Sequence, residues 1–284
     1  MRPGHPYDAG MNVALPASPL SALPVLARLY GCREEDLAGT AAQLTAALTV
    51  RDAAGLEVGA LGLRPSPAHG SEVLGGALPG DGQRDAALAL LRAALTVQPQ
   101  LYAYAEPHLL PVTALEAAGL RSVGAYTRMT GLLPTVPPVV PAGFRAVPLQ
   151  QVASLHDRMA AQRSYADRIG HTLVPPEFVQ PGAGGCDETL SRLAYDEAGI
   201  AVGICRVWRD GGEVSCTTPG IHPAARGSGL RQALLLSVCQ AALAAGAVTL
   251  RLDAWGDTPQ ERAADEALGL TTEECTPIYA ATGK

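Results

Sequence analysis

The sequence predicts two tandem α/β domains joined by a short linker, and three observations carry that prediction. The chain has 284 residues, more than one compact domain commonly holds and suited to two of about 140. A proline-rich stretch near the middle, Leu132 to Gly143, holds Pro134, Pro137, Pro138 and Pro141, which cannot sit inside a helix or a central strand. The two halves also resemble each other. Asp52, Ala54, Gly55, Val58 and Gly59 recur as Asp196, Ala198, Gly199, Val202 and Gly203, at a constant offset of 144. The same offset carries Gly76 to Gly220, Pro79 to Pro223, and Ala89, Leu90 and Leu91 to Ala233, Leu234 and Leu235. Further on, Glu116, Ala117, Gly119 and Leu120 match Glu266, Ala267, Gly269 and Leu270 at an offset of 150. The expected boundaries are therefore 1–133, a linker at 134–143, and 144–284.

The elements of the second half follow from local signals. Phe144 to Val147 is a short strand. Leu149 to Ser164 has Val152, Leu155 and Met159 at helical spacing. Tyr165 to Gly185 is a Pro/Gly-rich loop. Arg192 to Asp196 and Ile200 to Val207 form a hairpin about Glu197-Ala198-Gly199, and Glu213 to Ile221 is a third strand. A loop at Ala224 to Gly229 leads into a helix at Leu230 to Ala245. Ala247 to Ala254 is a strand, and Asp257 to Leu268 a helix with Asp257 as N-cap and Gly269 just past its end. Thr271 to Ala281 closes in one or two strands. The order is β-α-α-β-β-β-α-β-α-β, and the first half repeats it from Asn12 to Leu133.

Composition narrows the function classes. Hydrophobic residues make up 48% and charged residues 17%, so most of the chain can bury a core. The net charge of -6 argues against a nucleic-acid partner, which selects a basic face. The six cysteines form no C-x-x-C pair, which points away from a zinc site or disulfide frame and toward a reducing cytoplasm. Met1 to Gly10 lacks the pattern of a signal peptide. Ala233 to Leu250 is uncharged over a length near that of a membrane span, but Ser237, Gln240 and Gly246 interrupt it; a buried helix followed by a strand is expected, and no membrane.

The segment with chemistry in it is Gly220-Ile221-His222-Pro223-Ala224-Ala225-Arg226-Gly227-Ser228-Gly229-Leu230-Arg231, between a strand and a helix. Glycines let backbone amides approach a ligand, and the loop opens into a helix N-terminus, where free amides and the dipole attract phosphate. Arg226 and Arg231 add guanidinium donors. The pattern is a diphosphate cradle. It is neither a dinucleotide fingerprint nor a Walker loop, lacking a third glycine and a Lys-Ser/Thr.

Pro-x-x-Arg-Gly-x-Gly-Leu in this setting resembles motif A of the GNAT superfamily, the acyl-CoA N-acyltransferases, and the element order is similar to that fold. Thr249 to Trp255 and Asp257 to Leu270 resemble the family's next strand and helix. Through the repeat the resemblance extends to the first half, as in tandem members such as mycothiol synthase-like enzymes. It implies two GNAT-like domains, each a mixed, mostly antiparallel sheet flanked by helices. It further implies acetyl-CoA as co-substrate, no metal, an acceptor amine on a small molecule or peptide, and a monomer or homodimer. The coenzyme residues it implies are Thr218, Gly220, Ile221, His222, Arg226, Gly227, Ser228, Gly229, Leu230, Arg231 and Asp257. Main-chain N–H near Ile221 would hold the oxyanion.

Four positions depart from the family pattern. Arg231 stands at a small-residue position, Leu270 at the usual Phe, Asp257 or Thr258 at the usual Asn, and Asp265 at the frequent general-acid Tyr. These changes spare coenzyme binding more than proton delivery. Candidate bases are Glu213 and Asp253, and the candidate acid is Tyr279. His222 lies beside the cradle, and Cys216 lies on the strand lining the site. Arg163, Tyr165, Asp167, Arg168 and His171 crowd a loop that in this fold lines the acceptor pocket; Trp208 and Trp255 are expected to pack. The first half's equivalent loop, Pro79-Gly80-Asp81-Gly82-Gln83-Arg84-Asp85, carries two acids that repel a diphosphate. That copy is expected to bind coenzyme A poorly or not at all. The alternative for the whole chain is a catalytically weak or inactive acyl-CoA-binding or regulatory protein.

Overall fold

The computed structural model describes residues 13–171 and 174–281. Its contacts divide into two compact units. One runs to Val123 and takes back the chain from Thr276; the other is Gly124–Cys275.

The first unit is an antiparallel run β1 (Val13–Ala17), β2 (Ala46–Arg51), β3 (Glu57–Ser66) and β4 (Gly70–Ala77). Helix α3 (Gln83–Val97) then crosses over, so β5 (Leu101–Tyr104) lies parallel to β4. Side chains alternate across this sheet. Ala47 and Ala60 pack with Ala22, Val25, Leu26 and Leu29 of α1 (Pro19–Tyr30) on one face. Val50, Leu61 and Leu63 pack with Ala86, Ala87, Leu90 and Leu91 of α3 on the other. The short helices α2 (Ala38–Ala41) and α4 (Val112–Ala117) complete the unit.

The second unit repeats the order. β7 (Phe144–Pro148), α5 (Leu155–Gln162), β8 (Arg192–Asp196), β9 (Ala201–Cys205), β10 (Val207–Asp210), β11 (Glu213–Thr217) and β12 (Gly220–Ile221) precede the crossover. Helix α6 (Leu230–Ala244) follows, and β13 (Thr249–Trp255) returns parallel to β11. Helix α7 (Pro259–Ala267) is opened by Thr258, whose hydroxyl accepts the Glu261 amide while Glu261 accepts that of Thr258, a capping box. The uncharged stretch from Ala233 is the helix itself, buried at Leu234, Leu235, Val238, Cys239 and Ala242 against Val214, Cys216, Leu250 and Leu252. Among the described residues no helix is long and apolar enough to cross a membrane.

Four expectations need correction. The units do not divide at the proline-rich stretch, because the two longest strands, β6 (Leu120–Leu132) and β14 (Thr271–Ala281), change units along their length. Tyr126 to Leu132 pair with Trp255 to Thr249 in the second unit, while Ile278 to Ala280 pair with Tyr104 to Tyr102 in the first. The predicted helix from Leu149 shortens to α5 after a 3-10 turn. The fully buried Arg158 takes the carbonyls of Leu149 and Val152, which a continuous helix would use, and pairs with both oxygens of Glu188. Asp257 is not the cap of α7; Thr258 is. The third strand divides at Pro219. Val207 faces Cys216 and Ile204 faces Gly220, so one extra residue is bulged out on that side.

Candidate active site

The bulge matters because it is where the sheet opens. Thr218 makes the last bond toward β13, its amide donating to the Asp253 carbonyl at 2.8 Å. Beyond it, β12 turns to β9, where the His222 amide donates to Val202 at 2.8 Å. Strand amides alternate in direction, so the Ile221 amide points away from β9 into the gap; on that side the Ile221 carbonyl accepts from Arg226 Nε at 3.1 Å.

The chain then forms a 3-10 turn, Pro223–Ala225, capped by His222 Nδ1, which accepts the Ala224 amide at 3.3 Å. Gly227 and Gly229 follow at φ +75° and +89°. These left-handed conformations cost other residues about 1–2 kcal/mol each, and a Cβ at Gly227 would meet nothing within 4 Å. Gly229 is the N-cap of α6 and has no side chain to cap it; of the first helical amides, that of Leu230 donates to Ser228 Oγ at 3.3 Å. Ser228 Oγ donates to the Ala225 carbonyl at 2.7 Å and steadies the turn. Leu230 is only 1% exposed and anchors the helix in the core. The result is a rigid backbone turn with open amides at a positive helix end, suited to an anion.

Beside the turn lies a buried ionic cluster. Arg231 donates to both oxygens of Asp265 at 2.9 and 2.7 Å, to Asp257 at 2.7 Å and to Thr218 Oγ1 at 2.8 Å. Arg168 reaches Asp257 and, at 2.7 Å, Glu261. Burial pushes the Asp257 carboxyl up, against the pull of Arg231 and Arg168. Arg226 is held apart from this cluster by Asp167, with bonds of 2.7 and 2.6 Å. That pairing lowers the Asp167 carboxyl, although burial opposes it. Three side chains of the loop after α5 thus lie on the gap: Asp167 on Arg226, Arg168 on Asp257, and Tyr165. The Tyr165 hydroxyl donates to the Thr218 carbonyl at 2.8 Å, and burial pushes it well above its ordinary range, so it stays a hydroxyl. His171 stacks on Tyr165 at 4.7 Å between ring centres, and Trp255 meets His171 edge-on. Arg163 is exposed.

The structure does not gather the three candidate catalytic groups. Glu213 opens β11, at the far end of the strand from Thr217, and lies 3.7 Å from Arg251 on the surface. Tyr279 belongs to the first unit, opposite Ala103 and within that unit's core. Its hydroxyl lies 3.5 Å from Glu116. Asp253 does face the second unit's open side, opposite Thr217. It accepts the Tyr126 hydroxyl at 2.8 Å and Arg128 Nε at 3.1 Å. Burial, and then Asp253 itself, push Tyr126 up to about 12. Tyr126 escaped sequence reasoning because the strand exchange that brings β6 beside β13 leaves no local signal. Cys216 is buried, and the neighbouring Cys205 thiol, then burial, push its thiol well above its ordinary range, so it stays a thiol.

The first unit closes the corresponding gap with its own backbone. Ala77, the counterpart of Ile221, donates its amide to the Leu109 carbonyl at 3.0 Å. A Cβ at Gly76 would lie 2.3 Å from that carbonyl, whereas one at Gly220 would press on the Tyr165 ring at 2.7 Å. Gln83 Nε2 donates to the carbonyls of Ala77 and Pro107, stitching the segment down.

No protein-family model matches the sequence, and no curated protein does. Solved structures do match its fold. A GCN5-related N-acetyltransferase from Sphaerobacter thermophilus is 18% identical, covers 95% of each chain and has a TM-score of 0.52. A tandem GNAT protein from the clavulanic acid biosynthesis pathway is 17% identical over 96% of this chain and 99% of its own, also at 0.52. A probable N-acyltransferase from Enterococcus faecalis is 10% identical over 95% and 72%, at 0.58.

Proposed function

We propose that this chain, which has the tandem fold of the GCN5-related N-acetyltransferases, is an acyl-CoA-dependent N-acetyltransferase whose coenzyme site lies in the second unit. The observation that carries the reading is the open turn Gly227-Ser228-Gly229 leading into α6, whose N-cap is a glycine, where β12 parts from β13. Its amides fit the coenzyme's diphosphate, and acetyl-CoA would supply there the activated acyl thioester. The Ile221 amide, directed into the gap, is the donor placed to meet a developing oxyanion. His222 and Ser228 shape the turn rather than touch the ligand, and Leu230 anchors it. The acceptor is an amine of a small molecule or peptide, attacking directly within a ternary complex. The first unit, its gap closed by Leu109, serves as a structural partner. The proposed compartment is a reducing cytoplasm, the reading suggested by the spacing of the six cysteines in the sequence.

One observation favours the second reading, binding without efficient turnover. At the α7 position where the resemblance implies a proton-donating Tyr, both Asp265 oxygens are held by Arg231. Calorimetric titration with acetyl-CoA, and separately with desulfo-CoA, tests both readings. One micromolar site per chain supports the cradle, and an amine screen for turnover then separates enzyme from binder. No binding at millimolar coenzyme sinks the cradle, and two sites per chain sink the structural role of the first unit.

A further inference from the structure

The second unit contains a cavity of about 470 Å³ on the side of β11 and β13 away from α6. Thr217 and Trp255 contribute to it from these strands, and Phe178 and Trp208 give it apolar walls. Between β9 and β10, Arg206 reaches into it while only 8% exposed. Its Nη1 donates to the Phe178 carbonyl at 3.1 Å, but its Nε is buried with no acceptor, and it makes no ion pair among the described residues. The acid whose charge it influences, Glu188, is committed elsewhere. Glu188 holds Arg158 through both oxygens at 2.7 and 2.8 Å and takes the Gly182 amide at 2.9 Å.

A buried guanidinium without a counter-ion is costly to keep. The edge it leaves open, Nε with its neighbouring Nη, is the one that grips a planar carboxylate with two parallel bonds. Two more buried atoms around the same cavity have no partner: Gln162 Oε1 and His171 Nε2. Burial, and then Arg168, push His171 down to about 4, so at neutral pH it is uncharged and can accept a hydrogen bond. The cavity thus offers one cationic fork, two acceptors suited to an amine, and aromatic walls.

We propose that this cavity binds an amine that also carries a carboxylate and an apolar body, of the kind an aromatic amino acid presents, with Arg206 reading the carboxylate. The proposal rests on the acyl-transfer reading only in making this molecule the acceptor; the pocket's preference stands apart from it.

The test is calorimetry on the full chain without coenzyme, using L-phenylalanine and L-phenylalaninamide as probes. The acid is expected to bind at one site per chain at least ten-fold tighter than the amide. Arg206→Gln is expected to erase that preference, and Arg206→Lys, which keeps the charge but not the fork, to retain part of it. Because the native residue is an unpaired charge, R206Q without ligand is expected to melt no lower than the native chain, whereas a merely structural arginine would lower the melting temperature. The proposal is overturned if the amide binds as well as the acid, if R206Q keeps the preference, or if neither probe binds at millimolar concentration. A carboxylate preference without acetyl-CoA binding would sink the coenzyme reading alone. Acetyl-CoA binding without the preference would sink this one alone.

Discussion

Arg231 grips both oxygens of Asp265 while 12% of its side chain is exposed, and this pair joins the first turn of α6 to the buried face of α7. It also ties together two departures of the sequence from the GNAT pattern. A cation at a small-residue position and an acid at the Tyr position are one substitution in two places, since neither charge could be buried alone.

Breaking the pair from one side is therefore expected to hurt more than removing it whole. Arg231→Leu leaves Asp265 buried and unpaired and should cost about 3–5 kcal/mol. The double variant Arg231→Leu, Asp265→Leu should be more stable than that single one, because Asp257 keeps Arg168. Trp208 and Trp255 are the only tryptophans and both lie in the second unit, so their fluorescence in urea reads this unit directly. A double variant less stable than R231L would refute the argument.

The cradle makes a comparison between two helix-capping glycines. Gly229 caps α6 in a left-handed conformation, at φ +89°. Gly82 caps α3 in an ordinary right-handed one, at φ -91°. Gly229→Ala must strain or shift the turn, and is expected to weaken acetyl-CoA binding at least ten-fold. Gly82→Ala carries no such strain and should leave it unchanged. Equal affinities for the two variants would remove the turn from the binding site.

Much of this was legible in the sequence because a repeat preserves register. Adding 144 to β4 positions and 150 to β5 positions turns the pairs Ser71–Leu101, Glu72–Tyr102 and Val73–Ala103 into Ser215–Arg251, Cys216–Leu252 and Thr217–Asp253, and all six are paired as that mapping requires. The turn at Gly227 to Gly229 was legible for a similar reason: left-handed backbone selects glycine. Tyr279 was misplaced because a strand's alternation says which side chains are buried but not which neighbour it joins. Its strand closes the other unit. Asp257 looked like a helix cap because an acid beside a helix start commonly is one; only the structure shows that Thr258 caps and that Asp257 is drawn to Arg168 and Arg231. Arg206 gave no signal, since a buried arginine without a partner follows no sequence pattern.

His171 supplies a pH dependence of stability. Its folded-state pKa is pushed down to about 4, first by burial, from 6.5. Between these values the unfolded chain binds the proton more readily, so stability is present above pH 6.5 and is lost as the pH falls toward 4. The loss attributable to this group is on the order of 1–3 kcal/mol. His171→Gln should flatten the dependence over that interval relative to the native chain, measured as the shift of the urea midpoint by tryptophan fluorescence. An unchanged slope in H171Q would assign the acid sensitivity to other groups.

The strand exchange predicts where a truncation acts. Ending the chain after Cys275 removes the partner of Tyr102, Ala103 and Tyr104, and it takes Tyr279 out of the core around Leu101, Leu115 and Leu120. Losing one buried tyrosine and the ladder beside it should cost the first unit several kcal/mol, on the scale of a large core deletion. The second unit keeps all its strands to Cys275. Amide exchange should therefore accelerate at Leu101 to Tyr104 and across β4 and α3, while α6 and β13 keep their protection. If instead the protection of α6 and β13 collapsed and that of β4 and β5 survived, the last strand would belong to the second unit, as its place in the sequence suggests.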